Sequence, residues 1–297
     1  MRTLAQDARF ALRSLARSPG FTLTAMAVLA VGIGATTAIF SAVDAVLLRP
    51  LPFPEPDRLV MLWEHNPEKD WWEESSAPAN VLDWREGVEA FEDVAVHGWD
   101  SNAAAYVASG EPVELRGMSI TGNYFDVLEV PAALGRTPRW EETWAGSADI
   151  VVLSHAAWTR HFGGDPDVVG RRIEIDGSPV EVIGVMPEGF TFPEDGLDFW
   201  TPWGWERAFR SETWFRRAHW VWPIARLAEG VTPEEADRQL QAVVQRLQEE
   251  YPETNRVMGA HLSPLHDFLV GDEERPLWIL MGAVGLLLLV ACANVGN

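Results

Sequence analysis

The chain has 297 residues, of which 47% are hydrophobic, and a formal net charge of −21. This length allows two ordinary domains, or one domain with membrane segments. A chain this acidic repels phosphate backbones, which excludes nucleic acid as a partner.

Two residue types exclude further classes of protein. The single lysine, Lys69, stands in "HNPEKDWW" and not in a GxxxxGK[ST] phosphate loop, so the chain does not hydrolyse ATP by that route. The single cysteine, Cys292, excludes a disulfide framework and a cysteine-based zinc site. We therefore predict no metal, no cofactor and no disulfide.

The first predicted element is a basic arm over residues 1–20. Its helical pattern places four leucine or alanine residues on one face and arginines on another: Leu4, Ala8, Leu12 and Leu15, against Arg9, Arg13 and Arg17. Such a pattern is typical of a helix on the cytoplasmic membrane surface. A solvated helix is the alternative.

A membrane helix is predicted next, over residues 21–48. The 23 residues from Phe21 to Val43 carry no charge. As a helix they would reach ~34 Å, enough for a hydrocarbon core of about 30 Å. The run is longer than a signal-peptide core. Basic residues before it keep that end in the cytoplasm, so residues 49–275 are predicted to be periplasmic or extracytoplasmic.

Small residues recur at every fourth position of this helix, at Ala30, Gly34, Ala38 and Ala42. Small side chains at this spacing let a second helix approach closely. We therefore predict that this face packs against another helix. The prolines at alternate positions in "RPLPFPEP" then predict an extended, semi-rigid exit from the membrane.

The outer region mixes short strands with short helices, which indicates an α+β fold. "RRIEIDGSPVEVIGV" predicts a hairpin that turns at Asp176-Gly177, with Val180, Val182 and Val185 on the return strand. "TPEEADRQLQAVVQRLQEEYP" predicts a helix that Thr232 caps. We expect breaks near Gly117 and residues 203–215. These breaks divide the region into a module of residues 49–116 and 215–275 and an inserted subdomain of residues 117–214.

Candidate chemistry is weak in this region. Glu73-Glu74 and Glu141-Glu142 are adjacent carboxylates, which point apart, whereas the acid pair of a glycosidase must face one another across a bond. His155 and His161 are six residues apart, which does not suit a shared metal. The tryptophans of "DWWEE" and "FWTPWGW" favour packing or a place near lipid over ligand binding. We predict no catalytic residue, although a sugar-binding enzyme stays an open alternative.

The chain resembles the MacB/FtsX-like permeases of ABC transporters over almost its whole length, especially the large duplicated permeases. The motifs that carry the resemblance follow one another in order. They are "SPGFTLTAMAVLAVGIGATTAIFSAVDAVLLRPLPFPEPDRLVMLWE", "NVLDWREGVEAFEDVA", "SITGNYFDVLEVPAALGR", "VVLSHAAWTRHFGGDPDVVGRRIEIDGSPVEVIGVMPEGFTFP", "YPETN" and "LVGDEERPLWILMGAVGLLLLVACANVGN".

The resemblance implies a non-catalytic permease subunit of the bacterial inner membrane. A porter-like module with an inserted subdomain would form the periplasmic domain, and residues 276–297 would be a second membrane helix, within which this chain is truncated. The implied partners are a cytoplasmic ABC ATPase, a second permease copy or duplicated half, a periplasmic adaptor and membrane lipid. A membrane-anchored sensor or binding module that activates a periplasmic partner without transport is the alternative.

Overall fold

The computed structural model describes residues 13, 17, 19–44, 47, 51–99, 101–107, 112–146 and 149–296. At a few of these positions it describes the backbone only, without the side chain. Eight α-helices lie within that part of the chain. They are α1 (Pro19–Val43), α2 (Pro78–Gly87), α3 (Tyr124–Val127), α4 (His155–Phe162), α5 (Thr213–Arg217), α6 (Pro233–Glu250), α7 (Pro252–Asn255) and α8 (Leu265–Gly296).

Twelve strands of the described chain form one sheet. They are β1 (Leu59–Asn66), β2 (Trp71–Glu74), β3 (Phe91–Gly98), β4 (Asn102–Tyr106), β5 (Val113–Ile120), β6 (Leu134–Gly135), β7 (Ile150–Leu153), β8 (Arg172–Ile175), β9 (Ser178–Val185), β10 (Phe199–Pro202), β11 (Val221–Leu227) and β12 (Gly259–Pro264). The order along the sheet is β10-β7-β9-β8-β4-β5-β3-β11-β1-β12, and β2 and β6 pair with β1 and β9.

One half of the sheet is antiparallel and is covered by two helices. Strands β3, β11, β1 and β12 lie side by side, so segments from both ends of the region are neighbours. Alternate residues such as Val60 and Leu62 point to the face on which Trp84 of α2 and Leu240 of α6 are buried. The alternate, inward-facing residues of the strands and the apolar stripe of each helix therefore pack into one apolar core.

The other half of the sheet closes on itself. Strand β10 pairs with β7 and also, in parallel, with β5, so β5, β4, β8, β9, β7 and β10 form a ring. Every strand of the ring contributes to a second apolar cluster. Its members include Tyr106, Leu115, Leu153, Ile173, Val182 and Phe199. Closure removes the open edges that short strands would otherwise present to solvent.

A glycine makes this closure sterically feasible. Gly117 of β5 lies opposite Phe199 of β10, and a Cβ atom built on Gly117 would fall 2.1 Å from the Phe199 ring. No side chain fits there unless Phe199 moves. Gly117 lies in the middle of β5, and the predicted break near it stays a prediction.

The predicted hairpin is confirmed. Ile175 pairs with Ser178 around Asp176 and Gly177, which both adopt left-handed backbone conformations, as a two-residue turn requires. In the β7–β9 pairing Val151 lies opposite Val182 and Val152 opposite Gly184, so the ladder skips one residue of β9. This bulge explains why Val182 and Val185, three residues apart, share one core cluster.

The chain divides into two compact units, residues 1–51 with 269–297, and residues 52–268. In the first unit, Val43 and Leu47 pack with Val270, while Leu277 and Met281 border the same cluster. Helices α1 and α8 therefore contact one another through a stripe on each. Both helices contain a span that is long and apolar enough to cross a membrane, Thr22–Val43 and Glu274–Ala293.

The α+β fold class is confirmed, and the predicted helix α6 and the β8–β9 hairpin occur at the expected places. Strands β2, β6 and β10 were not predicted. The extended exit after α1 is wrong: residues 52–55 bend, Glu55 is left-handed, and residues 56–58 form a 3-10 turn. Phe53 is buried in this segment, and burial favours the bend over the straight polyproline conformation.

Two predictions concern the N-terminal arm and the division of the outer region. Most of the amphipathic arm, from Leu4 to Leu15, lies outside the described residues. The division of residues 49–275 into 49–116 with 215–275 and 117–214 stays a prediction. Trp144 and Trp205, which come from the predicted insertion, belong to the apolar cluster of the α2–α6 half.

Candidate functional site

The small residues of helix α1 lie on two faces, one that contacts α8 and one that is exposed. A Cβ atom on Gly32 would lie 3.2 Å from Leu288 of α8, so Gly32 marks the contact between the helices. Ala30, Gly34 and Ala38 are exposed, and nothing lies within 4 Å of a Cβ atom built on Gly34. The predicted packing stripe of Ala30, Gly34, Ala38 and the half-buried Ala42 is thus on a different face from Gly32.

The second notable site is a buried group of polar side chains, which we call the polar clasp: Glu64, Asn80, Asp83, Arg216 and Asn255. Asn80 is its centre. Its side-chain amide donates to Glu64, and its Oδ1 accepts from Arg216 Nη1 at 2.8 Å and from Asn255 Nδ2 at 2.9 Å. Arg216 Nη1 also lies 2.6 Å from Asp83 Oδ2. The clasp joins β1, α2, α5 and α7.

The sequence folds so that each clasp residue faces inward for a local reason. Asn80 and Asp83 lie three residues apart on α2, on the turn that faces the core. Proline begins both α2 and α7, and a proline in the first helical turn costs no hydrogen bond. Tyr251, just before α7, places its ring 3.7 Å from the Arg216 guanidinium, which forms a cation–π contact.

Charged side chains extend the clasp to the surface on two sides. Arg210 donates to Asp83 and to both carboxylate oxygens of Glu86. Those hydrogen bonds lower the pKa of the Glu86 carboxyl. On the other side His219 Nε2 lies 2.7 Å from the buried Glu64 carboxylate. Although burial opposes protonation of His219, the bond to Glu64 and the charge of Glu74 prevail and raise its pKa.

Other titratable groups are buried without such partners. Burial lowers the pKa of His97 to about 4 and raises the pKa of Tyr124, so both stay neutral near pH 7.

Glu142, from one of the predicted carboxylate pairs, forms an ion pair with Arg136 at 2.7 Å. Within the described residues, no three His, Cys, Asp or Glu side chains are placed to hold a metal ion.

The predicted tryptophan clusters mostly lie in the core. Trp200 and Trp205 are buried, and Trp203 packs edge-on against Trp220 with ring centroids 4.6 Å apart. Trp72 is different because it remains 59% exposed. Within the described residues the notable features are therefore buried polar contacts between elements and an apolar helix pair.

Comparison with known proteins defines the family. Residues 22–243 match the family described as MacB-like periplasmic core domain. Because the match covers well over half of the chain, the chain belongs to the MacB-like periplasmic core domain family of ABC-type permeases. None of the curated proteins matches it.

Solved structures are similar in fold. A domain of a protein described as a permease, from Porphyromonas gingivalis, aligns with a TM-score of 0.52 at 19% identity, over 72% of this chain and 92% of that one. The periplasmic region of MacB from Actinobacillus actinomycetemcomitans gives 0.49 at 13%, over 73% and 92%. The extracellular domain of the noncanonic ABC-type transporter YknZ from Gram-positive bacteria gives 0.47 at 16%, over 68% and 98%. The first similarity supports the fold alone.

The polar clasp was not identified from the sequence. Its residues come from four separate segments, and only their joint placement makes a cluster. A signal was nevertheless present: "NVLDWREG" contains Asn80 and Asp83, and "YPETN" contains Asn255. These polar residues interrupt or directly follow the apolar stripes of α2 and α6, and a polar residue on a core-facing position indicates a buried network.

Proposed function

We propose that this chain is part of a permease subunit that couples ATP hydrolysis, in a separate cytoplasmic ATPase, to export or mechanotransmission in the periplasm. The observation that carries the proposal is the position of the two candidate spans. Thr22–Val43 and Glu274–Ala293 stand at either end of an acidic domain of the MacB-like family. A domain held to the membrane at both ends can be moved by its helices.

The charge distribution supports the proposed orientation. Arg2, Arg9, Arg13 and Arg17 precede the first span, and bases near a span favour the cytoplasmic side. The region from Arg49 to Arg275 contains 19 basic and 42 acidic residues, a formal net charge of −23. In our proposal this acidic region is periplasmic or extracytoplasmic, and the membrane is the inner membrane of a bacterium.

Both ends of the unit formed by residues 52–268 are held by contacts within that unit. Strand β12 ends at Pro264 and α8 begins at Leu265, with no loop between them, and Leu265 is fully buried. After α1, Phe53 is buried against Phe192 and the Pro54 carbonyl accepts from Arg226.

We also propose a role for Ala30, Gly34, Ala38 and Ala42. Their stripe would face a further helix, from a second permease copy or a duplicated half, because α8 contacts α1 on the Gly32 side. A Gly34→Ile substitution should then weaken self-association in membranes, measured by energy transfer between labelled copies. Ile33→Phe, which enlarges an exposed residue turned about 100° away from Gly34 on α1, is the matched control. Equal effects of the two would refute the stripe.

The orientation is tested with cysteine labelling in intact cells. Cys292 is the one cysteine in the chain, so Cys292→Ala provides a cysteine-free background. Ser178→Cys then places a thiol on the exposed hairpin turn of the domain. A membrane-impermeant maleimide should label Ser178→Cys from outside, and an Arg13→Cys variant only after the membrane is opened. The reverse pattern would refute the proposal.

The coupling to an ATPase is tested by purification of the tagged protein from its own cells in mild detergent. An ABC ATPase should co-purify and be identified by mass spectrometry. An unrelated tagged inner-membrane protein serves as the control. If no ATPase accompanies the chain although labelling confirms its orientation, the protein is a membrane-anchored sensor or binding module instead.

A further inference from the structure

A groove on α8 lies where charged sequence gives way to apolar sequence. It has a volume of about 520 Å³ and is lined by Gly271, Glu274, Arg275, Trp278 and Ile279. These positions follow the i, i+3, i+4, i+7, i+8 spacing of a single helix face. Because Gly271 has no side chain, it leaves a notch one turn before Arg275.

This face is distinct from the one that packs against α1. On α8, Val270, Leu277 and Met281 belong to or border the cluster that holds Val43 and Leu47. Trp278 and Ile279 are instead 49% and 63% exposed. Large apolar side chains at this exposure are stable where lipid, and not water, surrounds them.

Arg275 is the last charged residue of the chain, and the 22 residues that follow it carry no charge. It forms no ion pair or hydrogen bond within the described residues, unlike Arg58, Arg210 and Arg216. An arginine at a bilayer boundary keeps its guanidinium at the level of the headgroups. Trp278, one turn further on, has the amphipathic ring that concentrates at the same level.

The neighbouring groups can bind the opposite charge. Glu274 lines the same groove and its side chain is exposed. Pro276 lies inside α8 and has no N–H, so the carbonyl oxygen of residue 272 lacks its regular helical donor. A carboxylate and a backbone carbonyl that is short of a donor thus lie within a turn of the arginine.

We propose that this groove binds the headgroup of a zwitterionic aminophospholipid. Arg275 pairs with the phosphate, because a guanidinium matches phosphate oxygens in two parallel hydrogen bonds. Glu274 and the carbonyl of residue 272 accept hydrogen bonds from the lipid ammonium. The first acyl segments lie along Trp278 and Ile279. A lipid with no ammonium gives Glu274 no cation to pair with, so the site discriminates against phosphatidylglycerol.

The inference rests on the proposed function only in placing the site in the outer leaflet. Binding itself can be measured for either orientation. The test uses the full chain, purified in mild detergent and titrated with phosphatidylethanolamine or phosphatidylglycerol, and native mass spectrometry counts the bound lipids. Wild-type protein should retain phosphatidylethanolamine with an affinity at least about tenfold above that of the Arg275→Gln variant, since hydrogen bonds to charged groups are strong.

Matched variants separate the site from general charge effects. Arg256→Gln removes an exposed arginine outside the groove and should leave lipid binding unchanged. Glu274→Gln should remove the preference for phosphatidylethanolamine over phosphatidylglycerol. Far-UV circular dichroism of each variant confirms that α8 is intact.

Three outcomes would overturn the inference. They are equal phosphatidylethanolamine binding by wild type and Arg275→Gln, equal or tighter binding of phosphatidylglycerol by wild type, and loss of a dimer instead of a lipid in Arg275→Gln, which would assign the groove to a second copy. If lipid binding fails while cysteine labelling still reports a periplasmic domain, the proposed function stands and this inference alone falls.

Discussion

Removal of the Asn80 side chain is the most direct test of the polar clasp. In an Asn80→Ala variant the buried Glu64 carboxylate loses a donor, and Arg216 and Asn255 lose their shared acceptor. Each buried group left without a partner costs about 1–3 kcal/mol, and contributions within one network do not simply add. We expect the free energy of unfolding to fall by about 3–5 kcal/mol.

The loss can be followed by thermal unfolding of the full chain in detergent, with tryptophan fluorescence as the signal. For a domain of this size 1 kcal/mol shifts Tm by about 2–4 °C, so Asn80→Ala should lower Tm by about 6–20 °C. Asn102→Ala, at an exposed asparagine of β4, is the matched control. Its free energy of unfolding should change by less than about 0.5 kcal/mol.

Equal unfolding temperatures of Asn80→Ala and Asn102→Ala would refute the stabilising role of the polar clasp. That result would mean that water or neighbouring groups satisfy Glu64 and Arg216 without Asn80. An Asn255→Ala variant adds a gradation, because it removes one donor and leaves the Glu64 and Arg216 contacts intact. It should destabilise the protein by about 1–2 kcal/mol, less than Asn80→Ala.

Three further predictions concern other parts of the molecule. Gly117→Ala should displace the Phe199 ring and lower the free energy of unfolding by about 1–3 kcal/mol, measured by urea titration; an unchanged midpoint would contradict the proposed closure. Because the pKa of His219 is raised in the folded protein, its ion pair with Glu64 contributes its full stability at pH values below the unfolded pKa of about 6.5. That contribution is lost as the pH rises through the pKa of His219 in the folded protein. The stability difference between wild type and His219→Gln should therefore shrink with rising pH, and a constant difference would refute it. Gly32→Ile should separate α1 from α8 and abolish a cysteine cross-link engineered between them, whereas an unaffected cross-link would show that the helices meet elsewhere.

Much of the local structure followed from short sequence patterns. The capping residue Thr232 accepts a hydrogen bond from the Glu235 backbone N–H, as predicted, and α6 begins at Pro233. The Asp176-Gly177 turn sets the register of its hairpin. In both cases the decisive interactions connect residues only a few positions apart, so the sequence pattern contains the necessary information.

The candidate site was less accessible from sequence, for two physical reasons. The small residues Ala30, Gly34, Ala38 and Ala42 identified one face of α1 that is suited to close helix packing. Gly32, on another face, is equally small, so side-chain size alone does not tell which face contacts α8. That choice depends on the shape of the α8 surface that packs against it. The polar clasp combines residues 64, 80, 83, 216 and 255, and no local period relates positions so far apart.

The sequence by itself determined the two apolar spans, their boundaries with the charged domain, the acidic character of that domain and most of its helices and strands. These properties depend on composition and on the repeat of the backbone, which act within one segment. The tertiary structure alone decided that β10 returns to β5 to close a ring, that β1 lies between β11 and β12, and that four segments meet at Asn80. Such choices are made by packing between distant segments, where shape, exclusion of water and the pairing of buried polar groups select one arrangement among many that the local patterns allow.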